Sequence, residues 1–96
     1  MDRKIYLNNL YDYYYLLLTE KQREYYEAYY FHDFSLAEIA QNNQVSRNAV
    51  HGQIKNVEER LEFYEESLGL YEKSKRIKEL IIGIDTDIKQ KIEELI

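Results

Sequence analysis

The chain has 96 residues, 45% of them hydrophobic and 32% charged, with no Pro, no Cys and three Gly. That length suits one small domain with a helical extension at most. The absence of cysteine excludes a disulfide framework or a thiolate metal cluster, and a formal charge of −5 excludes a strongly basic, phosphate-coating surface.

Few breakers, abundant Glu, Lys, Leu and Gln, and no Asn-Gly, Asp-Gly or Gly-Gly pair to turn a hairpin make the expected class all-α. No run approaches the roughly 20 apolar residues of a membrane span. The N-terminal stretch lacks the apolar segment of a secretory signal, so a cytoplasmic protein with no membrane span is expected.

In chain order, residues 2–18 set Leu7, Leu10, Tyr11, Tyr14, Leu17 and Leu18 at the three-and-four spacing of one helical face. Thr19 is placed to cap a second helix over 20–31, and Gln22 completes a capping box. Ser35 opens a third helix with Glu38 in the same role, and Leu36, Ile39 and Ala40 form its inward face. Gln41 to Gln44 (QNNQ) breaks the apolar rhythm and predicts a turn, with Asn43 the candidate for a left-handed conformation.

Ser46 then caps a fourth helix. Along it Val50, Ile54, Val57, Leu61, Tyr64, Leu68 and Tyr71 alternate by four and three, a heptad seam in which Gly69 is either the end or a weak point. Ile77, Leu80, Ile81 and Ile84 make a further stripe. GIDTD predicts a break with Asp85 as cap, and Ile88, Ile92, Leu95 and Ile96 line a last short helix. The organisation expected is a domain over 1–70 and a helical extension over 71–96 that packs on the domain or on a second copy.

The most informative segment is SLAEIAQNNQVSRNAVHGQIKNVEERL, Ser35 to Leu61. It reads as helix, tight turn, helix, with apolar residues where two steeply crossing helices must touch. Ala40 is small at the closest approach, and Val45 is expected to plug the gap beneath the turn. Leu18 to Leu61 resembles the fourth region of bacterial sigma factors. The wider pattern of LLTEKQ, YY, SLAEIA, VSR and LGLYEK, across about residues 5–73, resembles the YlxM-like family of helix-turn-helix proteins still more closely.

That resemblance implies a sigma-factor region-four-like helical bundle, and a regulator associated with the signal recognition particle GTPase and its receptor. The partners implied are DNA or components of that particle, its GTPase or its RNA. By analogy with sigma factors, Ser46, Arg47, Asn48, His51, Gln53 and Lys55 form the nucleic-acid-binding set. Arg reads guanine, and Asn or Gln reads adenine. Two departures from the sigma-like pattern stand out: Gly52 lies inside the presumed recognition helix, and the turn lacks a Gly.

The heptad seam is longer than a three-helix core needs. It makes Val57, Leu61, Tyr64, Leu68 and Tyr71 the candidate interface for a homodimer or for the targeting GTPase, unless residues 71–96 fold back to cover it. Lys73, Lys75, Arg76 and Lys78 are the one basic cluster outside the motif. The 11 tyrosines suit a core, or stacking on unpaired RNA bases. No Gly-rich phosphate loop, Cys nucleophile or Ser-His signature suggests catalysis. His32 and His51 lack a ligand partner at metal spacing, so neither a metal nor another cofactor is expected. The leading expectation is a helix-turn-helix regulator of the targeting pathway. The alternatives are a DNA-binding transcriptional regulator, and a protein-interaction module or RNA binder without DNA contact.

Overall fold

A computed structural model describes residues 2–96 as six helices: α1 (Arg3–Tyr14), α2 (Glu20–Tyr30), α3 (Leu36–Asn43), α4 (Arg47–Leu68), α5 (Leu70–Leu80) and α6 (Thr86–Glu93). A single 3₁₀ turn, Tyr15–Leu17, follows α1. No strand occurs among the described residues, and the fold is all-α.

Short polar side chains set the helix starts, because each supplies an acceptor for amides that have no intrahelical partner. Thr19 Oγ1 accepts from Gln22 N (3.1 Å) and Gln22 Oε1 accepts from Thr19 N (2.9 Å), a complete capping box. Ser35 and Glu38 repeat it on α3 at 3.1 and 3.0 Å. The bond from the Ser35 amide lowers the pKa of the Glu38 carboxyl. Ser46 and Asp85 cap α4 and α6.

Three local expectations are corrected. The stripe through Leu18 is not one helix: the chain tightens after Tyr14, which exposes Leu17 and buries Leu18. Helix α3 runs through Asn43, whose Nδ2 donates to Ile39 O at 2.8 Å, and it is Gln44 that takes the left-handed conformation (φ 56°). Val45 is exposed rather than plugging the turn, because Tyr25 from α2 already packs among Ile39, Ala40, Val50 and Ile54.

The core has two adjoining clusters that share Tyr30. In one, Leu7, Leu10, Tyr11, Tyr14 and Leu18 from the N-terminal segment meet Tyr26, Val57 and Leu61. In the other, α2 and α3 close on the first half of α4. The α4 seam is thus filled within the chain, first by α3 and then by α1. The core tyrosines stack, Tyr26 lying 4.5 Å from Tyr11 and 4.4 Å from Tyr30 by ring centroid. Hydroxyls of the first cluster find partners, as buried polar groups must: Tyr11 donates to Glu27, Tyr30 to Glu58, and Tyr26 to Asn8 Oδ1 at 2.7 Å.

Gly69, in the left-handed region (φ 64°), ends α4 and redirects the chain, so Tyr71 belongs to α5. There it packs edge-on against Tyr6 and Tyr13 of α1. The start of α5 lacks a cap of its own, and α1 and α4 supply one. Glu65 accepts from Tyr71 N (3.1 Å) and Glu72 N (3.0 Å), while the Tyr14 hydroxyl accepts from Leu70 N (2.9 Å) and donates to Glu65 (2.5 Å). A carboxylate at a helix N-terminus also meets the positive end of the helix dipole. Beyond that junction α5 and α6 project, and the molecule measures 54 × 25 × 24 Å. Its radius of gyration of 16.6 Å exceeds the roughly 12 Å of a compact chain this long. No helix among the described residues is long and apolar enough to cross a membrane.

Candidate nucleic-acid interface

Helix α4 is anchored along one side by Val50, Ile54, Val57 and Leu61, which repeat every three or four residues and are buried. That anchoring fixes which side chains point away from the protein. Asn48, Gly52, Lys55 and Glu59 fall opposite the buried row, and Arg47 and His51 fall beside them. All of these are exposed.

The first helical amides are available as well. Ser46 O accepts from Val50 N and Ser46 Oγ accepts from Ala49 N, so the amides of Arg47 and Asn48 precede the first intrahelical bond. They sit at the positive end of the helix, where a phosphate oxygen is stabilised.

Charge divides α4 in two. Residues 47–57 contain Arg47 and Lys55 and no acid, whereas residues 58–68 contain Glu58, Glu59, Glu62, Glu65 and Glu66 against Arg60 alone. Arg3 pairs with Glu62 at 2.7 Å, but the other end of α4 stays acidic. A polyanion is therefore admitted only at the first three turns. Gly52 lies in the middle of that stretch, and a Cβ there would meet nothing within 4 Å. It has an ordinary helical backbone and no packing neighbour that requires it.

Of the residues expected to bind nucleic acid, the structure brings Arg47, Asn48, His51 and Lys55 onto one continuous surface, with Ser46 as the cap at its edge. Gln53 is separated from them. It lies on the far flank of α4, on the side of Asn56 and Arg60, which with Gln22 and Phe63 border a shallow groove. The helical period alone reveals that separation. On the near flank, His51 and Lys55 border a groove with Tyr29, Tyr30 and Leu36, which the linear sequence does not show.

Of the seam residues considered for a partner, Val57 and Leu61 are fully buried against α1 and offer nothing to a second chain. Tyr64 and Tyr71 are half-buried on the same core, and Leu68 is exposed. The basic cluster of α5 does not form a face: Lys73, Lys75, Arg76 and Lys78 spread around the helix. Glu65, the cap of α5, carries no signal in the linear sequence that sets it apart from the neighbouring glutamates of α4.

A short helix joined by a tight turn to a longer one that presents its first turns to solvent defines a helix-turn-helix protein. The chain belongs to the family described as "UPF0122: Putative helix-turn-helix protein, YlxM / p13 like", whose model matches residues 1–96. It is 44% identical over 94 residues to a UPF0122 protein of Geobacillus sp. (strain WCH70), covering 98% of this chain and 86% of that one. Identity is 44% over 100 residues to a UPF0122 protein of Oceanobacillus iheyensis, covering 99% and 95% of the two chains. A UPF0122 protein of Bacillus pumilus is 52% identical over 75 residues, 78% of this chain and 68% of its own.

Proposed function

We propose that this protein is a cytoplasmic regulator that grips nucleic acid with the first three turns of α4, and that it acts in the signal recognition particle pathway that the YlxM-like resemblance implies. The observation that carries the binding reading is the polarity of α4, whose exposed, acid-free first half is followed by a strongly acidic second half. Duplex DNA fits this geometry, because a helix with free first turns enters the major groove end-on, its early residues against base edges. Arg47 and Lys55 supply the fixed charge, and Arg47 and Asn48 supply groups able to pair bidentately with guanine and adenine.

With two fixed cations the electrostatic part of the affinity is small. The slope of log K against log salt is expected near −2, by the rule of about −0.9 per phosphate neutralised. The test is a titration of the purified protein against labelled duplex DNA, the particle's RNA and the targeting GTPase at two salt concentrations. Binding to a nucleic acid that weakens with salt and on Arg47→Ala or Lys55→Ala supports the reading. Binding that neither substitution alters overturns it.

A second reading, a protein-interaction module, is favoured by Phe63 and Leu68, exposed on the acidic half of α4. Salt-insensitive binding to the GTPase alone, lost on Leu68→Asp, selects it. A dimer, argued below on separate grounds, would present two copies of α4.

A further inference from the structure

Residues 70–96 form an arm that does not complete itself. Of α5 and α6 together only Ser74 and Ile81, at the end of α5, are buried, and α6 buries nothing. Helices of 11 and 8 residues fall below the roughly 12–15 at which isolated helices stop being marginal even in favourable sequences. The tip of the arm, which should be polar as connections usually are, is aliphatic instead: Leu80 is 78% and Ile82 72% exposed. Ile88 and Leu95 of the following segment are 55% and 84% exposed. Leu80 and Ile82, side by side at the turn, leave large aliphatic surface open, as at a site that another molecule covers.

The charges say which molecule. Residues 1–69 carry seven bases and twelve acids, so the whole net charge of −5 resides there; residues 70–96 carry six of each and are neutral. Within the arm the signs are segregated. Residues 70–80 hold four bases and two acids, and residues 81–96 hold two bases and four acids. Yet no ion pair within 4 Å forms inside the arm among the described residues. The bases do not share one face of α5, so the complementarity runs along the chain: a basic stretch followed by an acidic one, its charges unpaired, meets its opposite in a second copy rotated by a two-fold axis, as an isologous dimer requires. The head domains, each net negative, would repel, and the neutral arm is where two copies can meet.

We infer that residues 70–96 are a dimerisation arm whose partner is the same arm of a second copy, with the aliphatic tip and α6 at the centre and the basic stretch of α5 facing the acidic stretch beyond it. This does not depend on what α4 binds.

The test is sedimentation equilibrium of the full chain over a wide concentration range, with circular dichroism to follow the fold. A concentration-dependent dimer is expected. Ile82→Asp should raise its dissociation constant roughly 30-fold or more, the loss typical of a central apolar contact. Lys75→Glu with Lys78→Glu should weaken the dimer, and adding Glu93→Lys with Glu94→Lys, which leaves the Asp85 cap intact, should restore it. All four charges are solvent-exposed, so this series stays decisive even where Ile82→Asp disturbs the arm itself. A monomer at every concentration overturns the inference, as does a dimer indifferent to both the tip and the charge reversal.

Discussion

The head and the arm are built from the same helix-forming alphabet and stand at opposite extremes of packing. In the head, aromatic rings fill the space between α1, α2 and α4, and the polar ends of those rings are tied to carboxylates and amides: Tyr11 to Glu27, Tyr30 to Glu58, Tyr26 to Asn8. In the arm beyond Tyr71, the large residues are aliphatic and mostly face solvent. The difference shows how a tyrosine core works. A Tyr buries as much apolar surface as other large residues, and its hydroxyl additionally demands a directed partner. The head is thereby held to one arrangement, whereas Leu and Ile in the arm accept any apolar cover.

The largest test of that contrast is a pair of truncations. Leu61→Ala removes a fully buried side chain at the junction of α1 and α4 and is expected to lower stability by about 2–5 kcal/mol. Leu80→Ala, at a dilution where the chain is monomeric, is expected to change it by less than about 0.5 kcal/mol. Urea unfolding of both variants checks the pair, and comparable losses would mean that the arm shares the core.

A smaller effect probes the joint between the regions. Tyr14→Phe deletes the hydroxyl that donates to Glu65 and accepts from Leu70 N. It is expected to cost about 1–3 kcal/mol, since a part-buried amide loses its acceptor. Hydrogen exchange at Leu70 should rise while that of Tyr26 rises only with global unfolding. Equal acceleration throughout would show that the joint is not a separate element.

The same rings make stability fall at high pH. Burial, reinforced by the bond to Glu65, pushes the Tyr14 hydroxyl up to about 12. Tyr11, Tyr26 and Tyr30 are also raised, burial being the first cause in each. Because the folded state holds these protons more tightly than the unfolded chain, whose tyrosines titrate near 10, the contribution is complete below pH 10. It is lost as pH rises toward 12 and beyond. Denaturation midpoints measured from pH 9 upward should therefore decline, and Tyr14→Phe should blunt the decline. A flat profile would contradict the burial of these hydroxyls.

What the sequence disclosed follows the same division. Thr19, Ser35, Ser46 and Asp85 were legible as caps because capping is local chemistry, decided within four residues. The set Ser46, Arg47, Asn48, His51, Gln53 and Lys55 comes from the resemblance to sigma factors, and the helical period keeps Arg47, Asn48, His51 and Lys55 of it on one side of α4. Gln53 belongs to the other flank by the same period. The use made of the seam was not legible. An apolar stripe states that a helix buries one side and is silent about what covers it, so Val57 and Leu61 suited a second chain as well as they suit α1. The left-handed residue, Gln44 in place of Asn43, turned on a side-chain bond from Asn43 to Ile39 O, a detail that composition does not carry.

A modest change in stability belongs to Gly52, and it separates structural from functional need most cleanly. A glycine inside an exposed helix destabilises it by about 0.8–1 kcal/mol relative to alanine. Three structural reasons could retain one: a left-handed backbone, a close neighbour, or a kink. Gly52 has neither a positive φ nor any atom within 4 Å of an added Cβ, and α4 continues unbroken on both sides. Gly52→Ala is therefore expected to stabilise the protein by nearly the full propensity difference, read from urea unfolding. If nucleic acid lies along Asn48, Gly52 and Lys55, the same methyl group intrudes where the groove wall approaches the helix, and binding weakens while stability rises. A variant that is more stable and binds equally well would show that the ligand does not reach the centre of this stripe, and would move the interface toward Arg47 and the first turn.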